Sequence, residues 1–105
     1  MDKIAMLTEI LATDATNAFA RYGLAMEYSG LNETAKAMAE FERLLADHAD
    51  YTPGYFMAAQ TLARAGQQAA AIEYLQKGLA SAERTGNQHA YSEMQAMLSE
   101  LEAGQ

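Results

Sequence analysis

The sequence has no cysteine and no tryptophan, a single proline at Pro53, and few residues branched at Cβ. Without cysteine there is neither a disulfide framework nor a thiolate metal centre. The shortage of β-branched residues argues against a sheet. No apolar run approaches the roughly 20 residues that cross a bilayer. The first ten residues carry Asp2 and Glu9 and lack the apolar core of a secretory signal, so a cytoplasmic location is expected. Basic residues are scarce too: seven Lys and Arg stand against fourteen Asp and Glu, a formal net charge of −7. Nucleic acid and anionic membrane surfaces are therefore excluded as expected partners, since both need clustered positive charge.

What remains is a chain of 105 residues, half of them apolar and rich in alanine, the strongest intrinsic helix former. That length supports one domain that buries roughly two-thirds of the unfolded chain's surface. The expected architecture is all-α, with about six helices in stacked antiparallel hairpins. Helices are expected over about 2–12, 17–29, 32–48, 53–65, 68–84 and 87–103. Gly30, Gly66 and Gly86 are read as stops, and Thr52-Pro53 as an N-cap followed by proline in the first turn. Short connections make consecutive helices antiparallel neighbours.

Internal repetition is the most informative feature. Moved forward by 36 residues, the second helix lands on the fourth, so that Phe19 matches Tyr55, Tyr22-Gly23 matches Ala58-Ala59, Met26 matches Leu62 and Gly30 matches Gly66. Moved by 34, the third lands on the fifth, with Ala37 on Ala71, Phe41 on Leu75 and Leu44 on Gly78. The difference implies a two-residue insertion within Leu31–Lys36. Small residues at Gly23, Ala37, Ala59, Ala71 and Gly78 would admit a neighbouring helix, and Phe19, Phe41, Tyr55 and Leu75 would fill the space between hairpins.

The run Tyr55, Ala58-Ala59, Leu62, Gly66, Ala71, Leu75 and Gly78 resembles the tetratricopeptide repeat. That family places an aromatic early in its first helix, then a large–small pair, a large residue and a turn glycine. A small, a large and a small residue follow in its second helix. The resemblance implies a right-handed superhelix of hairpins in one domain. Its parts are a half-repeat helix over 1–15, a first repeat over 16–51, a second over 52–85 and a capping helix over 86–105. Leu44 departs from the pattern, which usually has a small residue there. The resemblance also implies a small bacterial-type protein that is not an enzyme, has no cofactor and binds a peptide or helix of a partner protein in a concave groove.

By that resemblance the inner face comprises Asn17, Ala20, Arg21, Leu24, Glu27 and Tyr28, then Phe56, Met57, Gln60 and Arg64, then Tyr91 and Met94. The partner-binding set within it is Arg21, Leu24, Tyr28, Phe56, Met57, Gln60, Arg64, Tyr91 and Met94. Arg21 and Arg64 would offer positive spots for a partner carboxylate, unless ion pairs with neighbours such as Glu27 occupy them. The clamp by which some family members hold chaperone tails needs basic side chains, and the matching positions hold Ala20, Leu24, Met57, Asn87 and Tyr91. A structural alternative is self-association into a homodimer or larger scaffold. A remote one is a metal-dependent enzyme at Asp47, His48 and Asp50, although neighbours on a helix point about 100° apart and share one ion poorly.

Overall fold

The computed structural model describes residues 2–104. It contains six α-helices and, among the described residues, no strand: α1 (Lys3–Thr13), α2 (Ala18–Gly30), α3 (Thr34–Asp47), α4 (Thr52–Arg64), α5 (Gln68–Thr85) and α6 (Gln88–Ala103). Each packs on the next, so the chain is a stack of hairpins, with α2 and α4 also touching. Where the turns supply a side-chain acceptor, the first free N–H groups are capped. Asp2, Asn17 and Asn87 accept from the amides of Ala5, Ala20 and Ala90 at 2.8, 2.9 and 3.0 Å. Thr52 is not the cap expected of it. It is the first helical residue of α4, with Pro53 behind it, and its buried hydroxyl meets Ser81 Oγ at 2.8 Å.

The repeat has one register, and it differs from the expected one. Helices α2 and α4 are both 13 residues long, with residue 18 answering to residue 52. Helix α3 begins at residue 34 and α5 at residue 68, the same offset of 34. No insertion separates them. The turns agree: the left-handed residue is Asn32 (φ 60°) in the first hairpin and Gly66 (φ 81°) in the second. Behind each, the next amide bonds back to the helix, Glu33 to Tyr28 O at 3.0 Å and Gln67 to Leu62 O at 2.9 Å. Gly30 is therefore an ordinary last helical residue, and asparagine, which tolerates the left-handed region, does the work of the turn glycine.

In this register Leu24-Ala25 and Tyr28 correspond to Ala58-Ala59 and Leu62, and Arg21 stands where the second unit has Tyr55. The substitution preserves the contact. Arg21 donates to Ala15 O at 2.8 Å as the Tyr55 hydroxyl donates to Ala49 O at 2.7 Å, again 34 residues on. Phe19, expected between the hairpins, has no such place and is 77% exposed.

Three clusters form the core. Leu7, Leu11, Ala20 and Leu24 join α1 to α2. Ala25, Ala37, Phe41, Leu44 and Ala58 join the two hairpins. Tyr55, Leu75, Met94 and Leu98 lead the third, which seats α6. The oversized Leu44 is accommodated by Gly54, where an added Cβ would lie 3.1 Å from its Cδ2. Gly78 allows the reverse: a Cβ there would sit 2.7 Å from Tyr55 Cβ and collide with Met94 Sδ.

Candidate functional site

The face available to a partner follows from the directions already taken on α2. At about 100° per residue, Gly23 and Leu24 turn to α1, where Leu7 lies against Gly23. Arg21 and Tyr28 turn to α3, meeting Glu40 and Lys36. Ser29 turns to α4 and bonds Thr61 at 2.7 Å. The remaining arc holds Phe19, Met26 and Gly30, with Tyr22 at its edge toward α4, where it meets Tyr51. Residues 34 further on give the same arc of α4: Pro53, Phe56, Gln60 and Arg64, with Met57 at its border with α2. On α6 it continues through Glu93, Ala96, Met97 and Glu100, which with Phe56 and Gln60 line a cleft of about 380 Å³. Tyr22 is half-buried on this open face, its ring 5.3 Å from that of Tyr51. Burial, and secondarily the neighbouring Tyr51, hold its phenol above the ordinary pKa, so it stays a neutral hydrogen-bonding group.

Of the expected groove residues, Phe56, Met57 and Gln60 lie together on the open face. Others lie elsewhere. Leu24 is 5% exposed in the α1–α2 core, and Met94 is wholly buried against Gly78. Tyr28 packs within the first two clusters and carries Lys36 over its ring, 5.7 Å from the centroid. Tyr91, which like Phe56 packs on the third cluster, borders a separate cleft formed with the end of α5. The error on α2 has one cause: an offset of 36 instead of 34 rotates the face by two residues. Tyr22 and Met26 thus replace Ala20 and Leu24, and at the two chaperone-clamp positions they are equally uncharged. Exposed Phe19, absent from the expected set, belongs to this face.

Arg21 and Arg64 are not free cations. Arg21 is clamped by Glu40 at 2.8 Å, and Glu27, its expected partner, takes Lys3 at 3.2 Å instead. Arg64 donates to the hydroxyl and carbonyl of Ser29, at the carbonyl end of α2, where positive charge is favoured. Ser29 in turn meets Thr61, which donates to Met57 O at 2.8 Å, a relay that satisfies the Ser29 and Thr61 hydroxyls between the hairpins. The other cations are engaged as well. Arg43 pairs with Asp47 at 3.1 Å and Arg84 with Asp50 at 2.7 Å, while Lys77 lies 5.5 Å from the Tyr74 ring centroid. All seven basic side chains thus have intramolecular partners, yet among the described residues these use only four of the fourteen carboxylates.

Asp47, His48 and Asp50 do not converge. Asp47 goes to Arg43, and His48 Nε2 lies 2.6 Å from Thr16 O in the preceding turn. Asp50 joins Arg84 and Ser81, and the Arg84 bond holds its carboxyl below the ordinary range. Among the described residues no group of three His, Asp or Glu is placed to hold a metal. Nor, among the described residues, is any helix long and apolar enough to cross a membrane.

Residues 52–85 match the profile of the tetratricopeptide repeat. A TPR repeat-containing protein of Pseudomonas aeruginosa is 28% identical over 96 residues, covering 91% of each chain. A tetratricopeptide repeat domain protein of Salinibacter ruber superposes with a TM-score of 0.75 at 29% identity, over 83% of this chain and 97% of that one. A protein of Bordetella parapertussis has the same fold, with a TM-score of 0.85 at 24% identity over 99% of this chain and 90% of that one. Residues 52–85 are thus a tetratricopeptide repeat, and the chain, all-helical over the described residues, has the fold of small bacterial tetratricopeptide-repeat proteins, which is that of a protein–protein interaction module.

Proposed function

We propose that this protein binds a peptide or helix of a partner protein in the groove formed by the open faces of α2, α4 and α6, as a non-catalytic module of the cytoplasm. The observation that carries the reading is Phe19. A phenylalanine 77% exposed is not holding the fold, and the helical period aligns it with Tyr22 and Met26 on the face that also bears Phe56 and Met57. Tyr22, Met26, Phe56 and Met57 are only partly buried, their inner sides packed on the core, and apolar side chains gathered on one face of a small acidic protein mark an interaction site. With only two full units lining it, the groove is expected to bind in the micromolar class unless presented in several copies.

Replacing Phe19 and Phe56 together by serine is expected to abolish capture of the protein's partner from its own cell extract. Serine at Met6, exposed on α1, should not. Equal capture by both variants would reject the groove. A second reading, self-association, has its own support in Met6 and Ile10, exposed at 47% and 37% and one helical turn apart on α1. Light scattering separates the two. A monomer at tens of micromolar removes the second, whereas a dimer abolished by Met6→Glu would establish it.

A further inference from the structure

We infer that the groove's occupant is a cationic amphipathic segment, an apolar side chain seated against Phe56 and Met97 with a lysine or arginine beside it reaching Glu93 and Glu100. This rests on the groove reading and adds the chemistry of the partner. The first support is the cleft itself, where α4 contributes Phe56 and Gln60 and α6 contributes Met97 between the two glutamates. The i, i+4 and i+7 spacing of 93, 97 and 100 puts the carboxylates above and below the apolar centre on one helix face. The second is the charge accounting. The arginine nearest this face, Arg64, is drawn off to Ser29, and the other basic side chains are held by acids or rings elsewhere. Among the described residues ten of the fourteen carboxylates are therefore left without a lysine or arginine partner, and the charged groups lining the cleft are the acids Glu93 and Glu100. Among the described residues Glu93 has only exposed His89, at 3.4 Å, as a neighbouring cation when that ring is protonated. An acidic partner would meet repulsion and no free arginine. A basic one would gain Coulomb steering and charge-assisted hydrogen bonds around an apolar anchor.

The test uses two synthetic helical peptides with leucine on one face and lysine or glutamate on the other, titrated into the intact protein. Binding is read by fluorescence anisotropy and by amide shift mapping. The lysine peptide is expected to bind, with shifts centred on Phe56, Glu93, Met97 and Glu100, and to weaken as salt is added. Glu93→Gln with Glu100→Gln should cost about tenfold in affinity. The same pair at Glu42 and Glu73, on the outer helices, should cost little. Equal loss from the outer pair would reduce the effect to diffuse attraction and overturn the inference. A glutamate peptide bound as tightly on the same face would overturn the charge preference but leave the groove standing. Shifts confined to α3 and α5 would sink both. Unchanged circular dichroism of the Gln variants makes any loss one of binding.

Discussion

At the level of single residues, three side chains show how differently similar letters are used. Gly78 is there for close approach, since an added methyl would strike Tyr55 and Met94. Alanine would gain about 1 kcal/mol of helix propensity but incur an overpacking cost of about 1–3 kcal/mol. Gly78→Ala is therefore expected to destabilise by about 1 kcal/mol, measurable as a lower urea midpoint. Phe19→Ser, on exposed surface, should stay within about 0.5 kcal/mol of the parent. Asp50 is held by Arg84, chiefly through their hydrogen bond, and its pKa lies below the ordinary value. Its contribution is complete above the unfolded carboxylate's pKa near about 4 and is lost as pH falls through the lower folded value. Arg84→Ala should flatten that part of the acid-denaturation curve while altering the profile between pH 6 and 8 little. An identical acid limb in the variant would remove the pair from the account. Both partners are about half exposed, so the effect is small.

At the level of elements, all six helices are legible from alanine content, apolar period and turn residues, within two residues at either end. The second unit is readable from Tyr55 to Gly78 because its side chains keep the family's pattern. The first unit is not, and the reason is local. Phe19, Tyr22-Gly23 and Gly30 imitate the aromatic, large–small and glycine positions two residues too early. The true positions carry Arg21, Leu24-Ala25 and Asn32. The available signal was that Leu24-Ala25 with Tyr28 is also a large–small pair and a large residue, and that it needs no insertion. Arginine can replace an aromatic because both reach the carbonyl of the preceding turn, and asparagine can replace glycine because it accepts positive φ. The register makes an opposed pair of predictions. Asn32→Ala should cost about 1 kcal/mol, the penalty of an alanine in the left-handed region. Gly30→Ala, where nothing lies within 4 Å of the added Cβ, should gain about 0.5–1 kcal/mol. Thermal denaturation of the two variants decides it; destabilisation by Gly30→Ala would restore the offset of 36.

For the whole molecule, the superhelical stack divides the surface into an outer side of α3 and α5 and an open side of α2, α4 and α6. Polar relays at the joints, Ser29–Thr61–Arg64 and Thr52–Ser81–Asp50–Arg84, occupy side chains that sequence reasoning would leave for ligands. That is why Arg21 and Arg64, expected to face a partner, are engaged within the fold, while Phe56 and Met57 lie on the open side as expected of α4 and the residues expected on α2 are displaced by two positions. The excess of acid over base, visible in composition alone, acquires meaning only when the partners of the bases are known. The most direct measurement is site-specific photocrosslinking in cells, with a benzophenone side chain placed singly at Phe19 and Gln60 on the open side and at Glu42 and Glu73 on the outer side. Partner adducts from residues 19 and 60, with none from 42 and 73, are the predicted result. Adducts from 42 and 73 alone would contradict the account.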